Sequence, residues 1–341
     1  MKKNSSRLFL IMILIMQCAF AYAQVVSGYH IAKTFHIAGS GGWDFIAVDP
    51  GSDKLYQSHA TLVNILDKVT GDSIGIIPNT IGVHGIAFVD DLAKGYTSNG
   101  KINTVTVFDL RTDSILNQIT VVQGPDAILY DAFSKKIITC NGRSKNLSII
   151  DPITDKLVDS IAVGGKPEVP VTDNAGKIYV NIEDKSEVVE IDMIKMEVIN
   201  HWALSPGESP TGLAIDQKTK RLFSGCDNKI LMVMDANNGK IVGKLPIGAG
   251  CDGVGFDSVL HNVFASCGDG TLTVIHELTA NSFAVNEIIP TKKGARTIAI
   301  DETTHRIYLP TADLEVLPAN AAPGTRPKII PNTFQILVVE K

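Results

Sequence analysis

A five-residue stretch returns through this chain at a nearly fixed interval, and that regularity limits the fold more than any other feature. Residues 105 to 109 read Val-Thr-Val-Phe-Asp, a short alternating strand ending in an acid. The pattern recurs at 63–67, 147–151, 188–192 and 231–235, and again at 272–276 and 336–340 with the final Asp replaced. Its terminal positions 67, 109, 151, 192, 235 and 276 are spaced by 42, 42, 41, 43 and 41 residues. Seven copies at that period define a repeat protein.

A second stretch recurs in register with the first. Trp43 to Asp49 reads WDFIAVD, with equivalents at Val83 to Val89, Pro125 to Asp131, Pro167 to Asp173, Pro210 to Asp216, Cys251 to Asp257 and Ala295 to Asp301. Each alternates as a strand does and ends at a turn, usually with Asp. Another strand follows, anchored by Tyr56, Tyr96, Ile138, Tyr179, Phe223, Phe264 or Tyr308. The Val-Thr-Val-Phe-Asp stretch is then third, and a segment such as Lys156 to Val163 is fourth. Four antiparallel strands per unit, seven times over, predict an all-β, seven-bladed β-propeller and suit it better than a solenoid. The last unit stops at Lys341 after its third strand, while residues 28 to 38 resemble an orphan fourth strand. An N-terminal strand that completes the last blade would close the ring and remove its exposed edges.

Composition agrees with many short strands and tight turns: 45% of residues are apolar and 29 are Gly. The net charge of −5 supplies no global field to attract nucleic acid. Lys2, Lys3 and Arg7 precede an apolar run from Leu8 to Met16, and Ala21-Tyr22-Ala23 offers a small-x-small cleavage site. Residues 1–23 therefore read as a secretory signal peptide, cleaved before Gln24, leaving one domain over 24–341. Met16 and Gln17 before Cys18 make a poor lipoprotein signal. No later segment has the length and apolarity of a membrane span. The mature chain is expected in the periplasm or outside the cell, as a monomer.

Lys177-Ile178-Tyr179-Val180-Asn181 followed by Val188-Val189-Glu190-Ile191-Asp192 resembles the YVTN repeat of bacterial surface-layer and periplasmic propellers, the YncE-like group. Looser versions are Lys54-Leu55-Tyr56, Arg221-Leu222-Phe223-Ser224 and Arg306-Ile307-Tyr308-Leu309. The resemblance spans essentially the whole mature chain. It implies the propeller fold and says little of activity, because its residues are strand and turn formers.

Loops that enter the innermost strand and loops that join the second and third strands lie on one face of a propeller, around its axis. The entering position reads Asp44, His84, Asp126, Glu168, Thr211, Asp252 and Arg296. The position ending the second strand reads His59, Asn99, Asn141, Ile182, Cys226, Cys267 and Thr311. Solvated channel mouths are polar without any ligand, which is the structural alternative. His84 and Arg296 break an otherwise acidic ring, however, and solvation does not require that asymmetry. Such a funnel would engage a small hydroxyl-rich or cationic ligand or a segment of a protein partner.

Other readings stay open. A hydrolase of the lactonase type, as found among similar propellers, would use His84 or Glu168 as base and Arg296 to steady an oxyanion. No cofactor is predicted, although a divalent cation is possible, with His59 and His84 sharing it with Asp44 or Asp126. Nucleic-acid binding is disfavoured by the negative charge. Cys251 could form a disulfide with Cys267 or with Cys226, or these residues are small buried packing groups. The acids Asp67, Asp109, Asp151, Asp192 and Asp235 recur too regularly for catalysis and are expected to hold turns. Blade seven inserts roughly twenty residues between Tyr308 and Phe334, rich in Pro, which must project over the ligand face as a flap, lid or docking arm.

Overall fold

The structure is a computed structural model that describes residues 28–318, 325 and 327–341. The signal-peptide segment lies outside the described residues. Seven sheets of four antiparallel strands are arranged as a closed propeller. Six of them take their strands consecutively, from Trp43–Val48 in blade one to Ser282–Pro290 in blade six. The seventh combines Ala299–Asp301, Arg306–Thr311 and Gln335–Glu340 with the N-terminal strand His30–His36. That strand pairs along Gln335–Glu340 from His30↔Glu340 to His36↔Gln335, so the two ends of the chain close the ring.

Apolar side chains fill the spaces between neighbouring blades. Tyr56, Val63, Ile65 and Ile77 of blade one pack with Val83, Ile86 and Phe108 of blade two. The outermost strands have only one covered face, and their patterns show it: Ile115–Thr120 buries only Ile119, whereas Thr104–Asp109 buries its four central residues. Near the axis the inner strands come close enough to need small residues. A Cβ on Gly212 would lie 2.7 Å from the Val254 backbone nitrogen in the next blade.

Inner-strand boundaries largely follow the sequence reading, with one clear difference. The strand in blade seven begins at Ala299, four residues later than expected. Ala299 pairs with Tyr308, so a continued ladder would run past Pro310, which has no N–H to donate.

The recurring acids act as turn builders. Asp67 Oδ1 accepts from the Val69 and Thr70 amides at 2.8 Å, and the corresponding carboxylates of Asp109, Asp151 and Asp192 do the same two and three residues on. Asp235 accepts from the Asn237 amide. The face carrying these turns also locks blade to blade. Tyr56 Oη donates to Asp113 at 2.9 Å and Lys54 pairs with the same carboxylate at 2.8 Å. Tyr96 and Lys94 repeat the arrangement on Asp155, at 3.0 and 2.8 Å. Tyr308 closes the circuit by donating to the Lys68 carbonyl in blade one.

Candidate functional site in the axial funnel

The ring residues owe their position to a repeated irregularity. In each of the first six blades the pairing between the inner and second strands slips just after the first residue, as between Trp43↔His59 and Ile46↔Gln57. Asp44, His84, Asp126, Glu168, Thr211 and Asp252 all fall within that slip. A bulge leaves a residue outside the ladder and turns its side chain, here towards the axis. Side chains of neighbouring strands hold the irregular backbone. Ser58 Oγ accepts from the Asp44 amide at 3.0 Å, and Thr297 Oγ1 donates to the Asp44 carbonyl at 2.8 Å, joining blade seven to blade one.

Two connected cavities occupy the funnel. The deeper, about 230 Å³, is walled by Asp44, Asp126, Lys166, Glu168, Asp252 and Arg296 among others. Above it lies a vestibule of about 780 Å³, with Trp43, Leu314, Pro327 and Ile329 on one side. Glu183, Thr211, Asp252 and Arg296 border both, so the two form a single path along the axis.

The seven residues at the entering position come together as expected. His84 Nδ1 lies 2.6 Å from Asp44 Oδ2 and 3.6 Å from Asp126 Oδ1. An ionised carboxylate only accepts, so the ring carries its proton on Nδ1. Burial alone would lower this histidine's pKa, but the Asp44 bond and the charges of both carboxylates outweigh it and raise it above the ordinary range. Burial pushes Asp126 up to about 6, with His84 opposing and Asp44 adding to the rise. Glu168 goes further, to about 8, through burial and the charge of Asp126, against the pull of Lys166. Arg296 is ion-paired with Asp252 and has Asp44 Oδ1 at 3.8 Å.

Positions ending the second strand behave differently. Asn99 spends its amide on Thr104 and Thr106 and accepts from Thr97; Asn141 does the same with Asn146, Ser148 and Thr139. Both are buried clasps of their own blades. His59, 4% exposed, bonds Asn64 at 3.0 Å and packs on Phe334 with ring centroids 4.6 Å apart. Burial lowers its pKa. His59 does not join His84 in a common donor cluster; the donor atoms within 4.8 Å of one another are those of Asp44, His84 and Asp126.

Cys140, Cys226, Cys251 and Cys267 are all buried free thiols. Cys251 and Cys267 are cross-strand neighbours, and each thiol donates to a backbone carbonyl, of Gly253 and Ala265 respectively. The neighbouring Cys267 thiol and burial hold Cys251 far above the ordinary thiol range. In this structure all four are small buried packing groups, with Cys251 unbonded to Cys267 and Cys226.

Sequence reasoning missed Lys166, Glu183 and Trp43. Lys166 binds Glu168 Oε1 at 2.7 Å and Glu183 as well, neutralising one side of the deep cavity. Its position in the loop two residues before Glu168 was the available signal. The blade-seven insertion does reach the funnel, because Leu314 bridges to Ile329 and both line the vestibule. Lys292 clamps the base of this arm through Asp313.

No family model matches the chain, and no curated protein matches it. Among solved structures, hydrazine synthase of Kuenenia stuttgartiensis is similar over 83% of this chain and 96% of its own, with 14% identity and a TM-score of 0.70. The WD40 repeats of RRP9 are similar over 90% of this chain and 97% of theirs, with 8% identity and a TM-score of 0.76. These likenesses place the chain among the seven-bladed β-propellers, a fold commonly used for binding and scaffolding.

Proposed function

We propose that the mature chain, residues 24–341, is an exported binding module of the YVTN-repeat type that takes a small amphipathic ligand along its axis. The observation that carries this reading is the continuity of a charged deep cavity with a vestibule walled on one side by Trp43, Leu314 and Ile329. A polar or ionic head would sit against Asp44, Asp126, Glu168 and Asp252, with Thr211 at the junction. The apolar part would lie against the blade-seven arm. Cavities of this size, with apolar walls and a few convergent polar groups, are the usual form of a small-molecule site.

The hydrolase reading assigns Arg296 to a developing oxyanion. The guanidinium is instead paired with Asp252 and near Asp44, which favours binding over turnover. The net charge of −5 and the acidic deep cavity disfavour a nucleic-acid strand in the same funnel. A thermal-shift screen of sugars, amines, hydroxy acids and lactones tests the proposal. A ligand at a hundred times its dissociation constant should stabilise the protein by about 2.7 kcal/mol. Trp43→Ala and Thr211→Arg should abolish that shift. Release of product from a lactone or ester by the protein would establish the hydrolase instead.

A further inference from the structure

We infer that Asp44, His84 and Asp126 form a binding site for a divalent transition-metal ion at the floor of the funnel. The inference deepens the reading of the funnel as a ligand site, yet it can be tested with no organic ligand present.

Charge distribution around the deep cavity singles out this spot. Asp252 is paired with the Arg296 guanidinium, and Glu168 and Glu183 share the one ammonium of Lys166. What remains is a pair of carboxylates, Asp44 and Asp126, with one imidazole between them and Arg296 no closer than 3.8 Å to Asp44. The Asp126 carbonyl accepts from Ser98 Oγ, but its carboxylate accepts no hydrogen bond among the described residues; its close polar neighbour is His84 Nδ1 at 3.6 Å. Two acids sharing a low-dielectric wall with one weak base leave excess negative charge, and a cation is the direct remedy.

Geometry fits the same conclusion. Oxygen and nitrogen ligands about 2.1 Å from a tetrahedral ion stand roughly 3.4 Å apart. The distances from His84 Nδ1 to the two carboxylates, 2.6 and 3.6 Å, bracket that spacing, and all three donors lie within 4.8 Å of each other. In the bound state the cation takes the place of the Nδ1 proton. One imidazole with two carboxylates suits Zn²⁺, Mn²⁺ or Fe²⁺ better than Mg²⁺ or Ca²⁺, which favour all-oxygen sets. Asp44 and Asp126 face the cavity, so the open coordination positions would point at whatever enters along the axis.

Gly100 is part of the construction. A Cβ there would come within 2.8 Å of His84 Nε2 and 2.9 Å of the Pro125 carbonyl. Gly100 is thus a positioning residue, since only a glycine leaves the imidazole room beside this backbone.

The test is equilibrium dialysis of EDTA-treated full-length protein against Zn²⁺ or Mn²⁺, with the visible absorption of bound Co²⁺ as a second readout. About one ion per chain should bind, with Asp126→Asn and His84→Gln each weakening it by more than about tenfold. His59→Gln should leave both the affinity and the Co²⁺ spectrum unchanged. Thermal unfolding in EDTA separates loss of the site from loss of the fold; should either ring variant fail to fold, Gly100→Ala, which keeps every ligand, takes its place and is expected to alter the Co²⁺ spectrum. Absence of binding to the wild type overturns the inference, as does binding that survives Asp126→Asn and His84→Gln. If organic ligands stabilise a protein that binds no metal, the metal inference falls and the funnel reading stands. If metal binds as described and no organic ligand does, the reverse holds.

Discussion

The two faces of the propeller use the same repeat in opposite ways. On one face equivalent positions carry equivalent chemistry: Tyr56 with Lys54 on Asp113, Tyr96 with Lys94 on Asp155, and Tyr308 on a main-chain carbonyl. On the other, equivalent positions disagree, running from Asp44 through His84, Glu168 and Thr211 to Arg296. Regularity marks the groups that hold blades together. Departure from regularity marks the groups free to specialise, and in the first six blades the bulge that follows the first inner-strand residue is the device that presents them at the axis.

Breaking the regular face should cost most. Tyr96 is completely buried between blades two and three. Tyr96→Ala should destabilise the protein by about 3–5 kcal/mol in urea unfolding, while Tyr96→Phe, which keeps the ring and loses only the hydroxyl's contacts with Asp155 and the Pro152 carbonyl, should cost about 1 kcal/mol. Equal losses for both would mean that the hydroxyl latch, and not the packed ring, carries the junction.

One member of the regular face stores a pH dependence. Glu277 lies beside Asp216 and Thr219 with one carboxylate oxygen buried and without a hydrogen-bond partner among the described residues. Burial above all lifts its pKa from 4.5 to about 7. The folded state therefore keeps a proton that the unfolded chain has released, and stability falls as pH rises between those two values. The loss should reach roughly 3 kcal/mol by about pH 8, and Glu277→Gln should flatten the slope contributed by this residue. An unchanged profile would place the titration elsewhere.

Smaller effects belong to the funnel. Gly100→Ala should cost about 1–3 kcal/mol by crowding His84 and the Pro125 carbonyl. Glu168→Gln should change stability at pH 7 by less than about 1 kcal/mol, since burial already favours the neutral acid there. A large loss from Glu168→Gln would show that the charged pair with Lys166 is structural.

The fold was legible because its signals are local and repeated seven times. Alternation, turn acids and the orphan strand read at 28–38 each pointed to the same closed ring, and independent weak signals in register reinforce one another. The inner half of the site was legible for the same reason, since register alone located Asp44, His84, Asp126, Glu168, Thr211, Asp252 and Arg296. Register could not say which way a side chain points. His59, Asn99 and Asn141 occupy equivalent places at the end of the second strand, yet each turns to a partner in its own blade or to Phe334. Lys166 and Trp43 escaped notice because their importance lies in contacts between loops, of Lys166 with Glu183 and of Trp43 with the walls of the vestibule, and no repeat position records such contacts.

The central claim, that ligands enter along the axis, can be read from one fluorophore. The chain has 2 Trp, and Trp202 stacks on Tyr179 away from the vestibule that Trp43 lines. In a Trp202→Phe variant the emission of Trp43 should shift in step with any ligand that raises the melting temperature. A ligand that stabilises the protein while leaving Trp43 emission unchanged would bind elsewhere and contradict the account.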